Sequence, residues 1–596
     1  MLREILLGNM AIALGAVHAG VRVVCGYPGT PSTEVLESVA HYNRNGKINV
    51  EWSTNEKAAL EIAAGASYCG ARSMVTMKQV GLNVASDPLM SLGVIGTKGG
   101  MVVVVADDPG PISSQTEQDT RHFGKFANIP VLDPSSPEEA YEMAKYAFEF
   151  SEQLHLPVIL RPTTKVCHSS GTVETSGDIH EHEPEGFVKD PKWVIFPPLS
   201  YRRHIEIEKQ QPEISGLFDK IPFNRIEGEG QCGIAAGGVT YAIVKDIIEA
   251  FDLKVVLLKS GAVFPPPNGL YAEFLQQVEK VLVLEELDPV IEEQLYHVLA
   301  LKNLQRPIFG KLNGFVTPAG ELKYDNTLKI IEKYLGIPLN TNLAAPPMEL
   351  PMRAPVLCAG CPHRASFYAV KKAMLGKKAV FCGDIGCYTL GNGKPLEMTD
   401  TCLCMGAGIT IAQGIKKVEP DTNAFAFIGD STFFASGMTG LANAVYNQAN
   451  INVIILDNAT TAMTGHQPHP GTGKTMMDTM SQKIDIYSVV KALNVGFVEK
   501  LNPFNQGKAI TTVKAAAEYD GVSVIIFEAP CIALFKPETV CRTENCTGCR
   551  KCIREIGCPA MSIVNSRVVI NESLCYGCGL CVNVCPTNSI HREERL

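Results

Sequence analysis

The segment from Ile428 to Gly465, IGDSTFFASGMTGLANAVYNQANINVIILDNATTAMTG, constrains the fold of this chain more than any other. An apolar strand, Phe425 to Ile428, delivers Gly429 and Asp430. A second, Val453 to Leu456, delivers Asn458, 28 residues after Asp430, and one helix of small residues fills the interval. A strand, a crossover helix and a second strand at that spacing form a parallel unit, and open parallel sheets bind ligands at the carboxyl ends of their strands. A hard cation such as Mg²⁺ takes oxygen ligands and keeps phosphate oxygens in its shell, so Asp430, Asn458 and a nearby carbonyl suit a metal–diphosphate site. The alternative is local: Asp430 as a helix cap and Asn458 as a turn former.

At 596 residues, 46% of them hydrophobic, the chain has material for about four domains, each with its own core. A net charge of −9 argues against a nucleic-acid or anionic-membrane partner, since both need a basic patch. Its longest apolar runs, such as Met101 to Ala106, are strand-sized and far too short to cross a bilayer. Arg3 followed by Met10 to Val17 imitates a signal peptide, but Gly8 and Asn9 interrupt it and it runs on into VRVVCGY. A packed helix in a cytoplasmic protein is the expectation. Of 20 cysteines, eight lie in two tight runs between Cys546 and Cys585, a distribution that implies metal and not disulfides.

Residues 1–180 alternate apolar strands (VRVVCGY, SMVTMKQ, MVVVVADD, LPVILRP) with helices of small residues, the pattern of a doubly wound α/β domain. Two segments stand where a cofactor would lie. One is the turn from Tyr27 to Ser32, with Thr30 or Ser32 available as an N-cap. The other is Thr54 to Ala59, where Glu56 opens the helix AALEIAAGAS; an acid at a helix start otherwise serves only the dipole. Residues 181–227 are polar and proline-bearing, without a clean period, and read as a connecting arm. A second α/β domain follows over 228–338, with a Gly237-Gly238 turn of the kind that usually means tight packing. A Pro-rich linker, 339–355, leads to a third α/β domain, 356–536, which contains the opening segment.

The tail, 541–596, carries CTGCRKCIREIGCP and CYGCGLCVNVCP. Cys575, Cys578, Cys581 and Cys585-Pro586 fit the bacterial ferredoxin pattern, and Cys546, Cys549, Cys552 and Cys558-Pro559 repeat it with five residues before the last cysteine. Two 4Fe-4S clusters are predicted, each completed by the other run: Cys546, Cys549, Cys552 and Cys585 for the first; Cys575, Cys578, Cys581 and Cys558 for the second. Structural zinc prefers separated C-x₂-C pairs to these triplets.

The motifs GYPGTPSTE, NEKAA, CAGCPHR, GDIGC, GDSTFF and DNATTAMTG, together with the ferredoxin tail, span essentially the whole chain. In combination they resemble the thiamine diphosphate-dependent 2-oxoacid:ferredoxin oxidoreductases, and most closely the large (alpha) subunits of the indolepyruvate:ferredoxin oxidoreductase branch, which share the irregular first cysteine run. Ser431 stands where many members of the wider family have Gly. The resemblance implies three transketolase-like, thiamine diphosphate-binding α/β domains and a two-cluster ferredoxin-like α+β domain. It implies that Glu56 hydrogen-bonds the aminopyrimidine of thiamine diphosphate, a role suited to a desolvated carboxyl. Asp430 and Asn458 match the Mg²⁺ ligands, with the Thr460 carbonyl as the third protein oxygen, inside a cofactor loop that includes Gly429 and Ser431. Thr30 matches a position that touches the substrate in related enzymes, and His363 is expected near the diphosphate or the reacting carbon, or in packing.

The resemblance further implies conversion of an aryl 2-oxoacid such as indolepyruvate, with coenzyme A, to acyl-CoA and CO₂, the electrons passing singly to ferredoxin. A separate small beta subunit is expected to carry the gamma-type module in an α₂β₂ assembly. In relatives acting on smaller substrates, cysteines in comparable contexts hold a cluster near the thiamine, which makes Cys358, Cys361, Cys387 and Cys531 candidate ligands of a third. Large subunits of this branch are usually described with the tail clusters alone, so about twelve iron atoms per chain and about eight both stay open. Cys25, Cys69, Cys402 and Cys404 are expected as buried small hydrophobes. The rival readings are a branched-chain or other bulky 2-oxoacid substrate, a non-oxidative decarboxylase or carboligase, and a scaffold subunit with a vestigial pocket.

Overall fold

The computed structural model describes residues 2–44, 46–175, 177, 179–339, 351 and 354–595. The chain divides into two compact units, residues 1–345 and 346–596.

Beside a two-stranded antiparallel sheet, Leu2–Leu7 with Ser170–Thr175, the first unit holds two larger open sheets among the described residues. The larger runs, from edge to edge, through Ala262–Phe264, Val131–Leu132, Val158–Leu160, Met101–Ala106, Ser73–Lys78, Val23–Gly26 and Asn49–Trp52. All its pairings are parallel except the first. Met101–Ala106 is buried at all six positions, as a strand with helices on both faces must be. The second sheet orders Ile308–Phe309, Lys280–Leu284, Cys232–Ala236, Val256–Ser260 and Asn224–Gly228, the last antiparallel.

Two details depart from the sequence-based outline. The strand Ala262–Phe264 comes from the segment assigned to the second domain yet completes the first sheet, because Phe264 packs into that sheet's core beside Ile129 and Val131. The expected irregular arm contains the helix Pro197–Phe218; its buried positions, Ile207, Ile214, Ser215 and Phe218, begin only at its middle, and Pro212 within it disguises the period. Gly238 adopts φ +51 and a Cβ there would meet the Asp133 carboxylate at 2.7 Å, so the Gly237-Gly238 turn serves packing. The predicted linker 339–355 lies almost wholly outside the described residues.

The second unit is built on an all-parallel sheet in the order Ala379–Cys382, Asn423–Gly429, Asn452–Asp457, Ser523–Glu528 and Phe497–Leu501. Phe425 and Phe427 face one apolar layer, and Ala426 and Ile428 the other, so the period-two alternation of one strand seals both faces. The tail adds two antiparallel pairs, Thr539–Thr543 with Ile590–Glu594 and Met561–Val564 with Arg567–Ile570. Each cysteine run leads into a short helix, Lys551–Ile556 and Leu580–Val584. Among the described residues no helix is long and apolar enough to cross a membrane.

Candidate active site

In the second unit the predicted residues gather at the carboxyl ends of adjacent strands. Asp430 follows directly on Asn423–Gly429 and starts a helix that passes through a π-type turn, Phe433–Gly437, before continuing as Met438–Tyr446. Such turns recur at functional sites. Gly429 is required there because a Cβ would lie 2.5 Å from the Tyr388 ring. Asp430 Oδ1 accepts from Ser431 N (2.9 Å), and Oδ2 accepts from Asn458 N (3.1 Å) and Ala459 N (2.8 Å). His469 Nε2 stands 3.1 Å from the same Oδ2, and Gly471 N donates to His469 Nδ1, which fixes the imidazole proton on the nitrogen facing Asp430. Burial alone would raise the Asp430 carboxyl; His469, the Ser431 amide and Asp457 outweigh it and hold it below the usual range. Neighbouring Asp457 goes the other way, to about 6, through its own burial and the charge of Asp430.

The side-chain oxygen of Asn458 points at the Thr460 carbonyl oxygen (2.8 Å) and at Asp430 Oδ2 (3.3 Å). That oxygen also accepts from Thr460 N (3.3 Å), and turning the amide over would instead let its NH₂ donate to both neighbouring oxygens. In the present orientation Asn458 Nδ2 lies 3.3 Å from His363 Nε2. The side chains of Asp430 and Asn458 and the Thr460 carbonyl thus lie together, an oxygen set of the kind a hard divalent cation takes. His363, in the first turn of Pro362–Ala373, is buried, and burial drops its pKa to about 4, so it is a neutral imidazole here. It meets Tyr388 edge-on at 5.7 Å. The Tyr388 hydroxyl donates to Asp384 (2.9 Å), which burial raises to about 6. Sequence reasoning missed His469, Asp457, Asp384 and Tyr388. Asp384 and Tyr388 flank Cys387 in or beside GDIGC, which was read for its cysteine; His469 sits in the irregular HQPHPGTG, where no period marks a site.

In the first unit Glu56 is the opening residue of the helix Glu56–Tyr68, whose N-cap Asn55 accepts from Ala58 N. The carboxyl is buried, and desolvation pushes it up to about 7 against its own backbone amide and the charge of Lys78. A Cβ on Gly81 would stand 2.6 Å from Glu56 Oε1, so only glycine leaves room for this side chain. Lys78 ends the strand Ser73–Lys78; its stem lies over Gly29 and its Nζ donates to Ser113 O (3.3 Å), while Ser113 Oγ donates to Thr30 O (3.1 Å). Thr30 thus shares a loop environment with Lys78. Neither Thr30 nor Ser32 caps the following helix through its side chain, since Ser32 Oγ donates to Gly29 O instead. Glu56 and Asp430 belong to different units.

Among the cysteines, Cys558, Cys575, Cys578 and Cys581, the set assigned to the second cluster, line one cavity. Cys575 Sγ accepts from Cys541 N (3.3 Å) and Gly577 N (3.4 Å). In the other set, Cys546 Sγ accepts from Gly548 N (3.4 Å) and Cys585 Sγ from Ser589 N (3.2 Å), amide donors of the kind that stabilise cluster sulfurs. Cys387 lies within electrostatic reach of Cys531 and Cys358, and Cys361 within that of Cys358. The expectation of buried, inert thiols holds for Cys25 alone: Cys69 is half-buried, and Cys402 and Cys404 are exposed on the loop after Thr401.

Residues 14–213 match the family model for the pyruvate flavodoxin/ferredoxin oxidoreductase thiamine diphosphate-binding domain. Residues 384–527 match the C-terminal binding domain of thiamine pyrophosphate enzymes, and residues 568–591 the 4Fe-4S binding domain. Together with the folds above, these matches define a thiamine diphosphate-dependent 2-oxoacid:ferredoxin oxidoreductase that carries 4Fe-4S clusters. Indolepyruvate oxidoreductase subunit IorA of Archaeoglobus fulgidus is 42% identical over 98% of this chain and 97% of its own length. The proteins of that name from Thermococcus kodakarensis and Methanothermobacter thermautotrophicus are 41% and 40% identical, over 98% and 99% of this chain and 96% and 97% of theirs. The chain belongs to the indolepyruvate oxidoreductase IorA (alpha-subunit) family.

Proposed function

We propose that the chain oxidatively decarboxylates aryl 2-oxoacids, indolepyruvate first among them, and transfers the acyl group to coenzyme A. The oxygen triad of Asp430, Asn458 and Thr460, at the carboxyl ends of two adjacent parallel strands, carries this reading, because these oxygens would hold the Mg²⁺ that accompanies a diphosphate. Bound thiamine diphosphate supplies the electron sink for loss of CO₂, and the clusters accept the released electrons one at a time. The protein's share is positioning and proton management. Asp430 stays ionised to hold the cation, His469 keeps it so, and neutral His363 stands beside Asn458 without adding charge. Glu56, poised at about 7, both gives and takes a proton near neutral pH, which is what activation of an aminopyrimidine asks of a carboxyl. Lys78 and Thr30 offer a cation and a hydroxyl to a 2-oxoacid. The aryl preference is supported by the names of the relatives.

The working form is an α₂β₂ assembly in a reducing cytoplasm, with two tail clusters and a third on Cys358, Cys361, Cys387 and Cys531. Anaerobic ferredoxin reduction by the chain co-purified with its small subunit, across a panel of 2-oxoacids with coenzyme A, tests the reading. Indolepyruvate and phenylpyruvate should have the highest kcat/KM; a branched-chain 2-oxoacid in first place would contradict it.

A further inference from the structure

Arg364 follows Cys361 by three residues in CAGCPHR and is 4% exposed. Its Nη1 donates to Ile556 O (2.5 Å) and Gly557 O (3.1 Å), and its Nη2 to Leu357 O (2.5 Å), while Nε is buried without a partner among the described residues. Every one of these acceptors is a neutral carbonyl. A buried cation persists in a fold when an anion answers it, because desolvating an unpaired charge is costly. Burial pulls the guanidinium pKa down, and the groups that push it back up are four cysteines, Cys558, Cys361, Cys578 and Cys358. Arg364 also lines the cavity shared by Cys558, Cys575, Cys578 and Cys581. The wall of that cavity is held close: Gly360, at φ +79, faces Tyr576 so tightly that a Cβ would stand 2.5 Å from the Tyr576 Cβ.

We propose that Arg364 is the built-in counter-ion of the second tail cluster, and that it raises the reduction potential of that cluster relative to its neighbour. The inference rests on the two-cluster assignment of the tail. Four thiolates around a 4Fe-4S core give a net anion, and the missing partner of Arg364 is an anion at this cavity. Reduction adds one electron to the iron and moves no atom; the upstream donor, which carries electrons taken from the 2-oxoacid, is oxidised by the same one electron. The extra negative charge then falls beside a fixed positive one in a site of low dielectric, where the attraction is large. Cys358 and Cys361 act on the same guanidinium, so one cation faces both the CAGC turn and the tail cavity.

The test uses the assembled enzyme, reduced stepwise and followed by EPR, with iron and sulfide analysis of each sample. Arg364→Gln should keep its iron and show the midpoint of the second tail cluster moved to lower potential while that of the first tail cluster stays, and Arg364→Lys should restore most of the difference. Unchanged midpoints in Arg364→Gln with full iron would overturn the proposal. Should Arg364→Gln lose a cluster that Arg364→Lys retains, the positive charge is again what the site needs. Equal iron loss in both variants would reduce Arg364 to packing and overturn it. A wild-type enzyme without two tail-cluster signals would remove the cluster assignment itself, and that failure is visible before any variant is compared.

Discussion

Glu56 and Asp430 hold equivalent positions in the two units: each is a buried carboxyl at the start of a helix that follows a parallel strand. Helix dipole and burial act on both, yet Glu56 is pushed up to about 7 and Asp430 is held below the usual range. The difference lies in the donors. Asp430 accepts from three backbone amides and faces a histidine N–H, whereas Glu56 has its own backbone amide and the charge of Lys78. Donor number keeps one buried acid ionised and leaves the other protonated up to near-neutral pH.

Removing the anion should have the largest effect. Asp430→Asn keeps the shape and deletes the charge. Mg²⁺ half-saturation of ferredoxin reduction should rise more than about 100-fold, since loss of an outer partner alone costs about 10- to 100-fold. Next comes Gly81→Ala, which drives a methyl group into the Glu56 carboxyl. Misplacing a reacting group by about 1 Å costs roughly 100-fold, so kcat should fall between about 10- and 100-fold with Mg²⁺ dependence unaltered.

A smaller effect concerns stability. In the folded chain Glu56 keeps its proton up to about pH 7, against an ordinary value of 4.5. The unfolded chain binds fewer protons between those values, so this carboxyl costs the wild type stability progressively as pH rises through that window. Glu56→Gln escapes the cost. Its thermal midpoint should match wild type near pH 4.5 and exceed it above pH 7, by a free energy on the order of 3 kcal/mol. Finest of all is Lys78→Met: Lys78 is the charge that holds Glu56 down, so the near-neutral limb of the kcat/KM profile should move to higher pH. A limb that stays or moves down would mean that another group titrates there.

How much of this was legible in the sequence follows from how local each signal is. Strand–turn–helix segments with a polar residue at the turn gave Glu56, Asp430 and Asn458, because the strand period and the crossover length fix where those side chains emerge. The cysteine triplets gave the tail for the same reason. His469 was invisible, since it reaches Asp430 from 39 residues away in a loop without periodicity. Gly81 and Arg364 were equally hidden: one matters for the atoms it lacks, and the other for a cavity made by residues nearly 200 positions later. The helix Pro197–Phe218 was missed because its apolar stripe covers only one half. The strand Ala262–Phe264 changed sheets because tertiary packing of Phe264 decides its partner.

The division of labour between the two carboxyls is tested most directly by hydrogen–deuterium exchange at the reacting carbon of bound thiamine diphosphate, followed by rapid-quench NMR. Glu56→Gln should bind the cofactor within a few-fold of wild type at saturating Mg²⁺ and exchange that proton at least about 100-fold more slowly. Equal exchange rates in variant and wild type would show that Glu56 moves no proton there, and the contrast with Asp430 would lose its meaning.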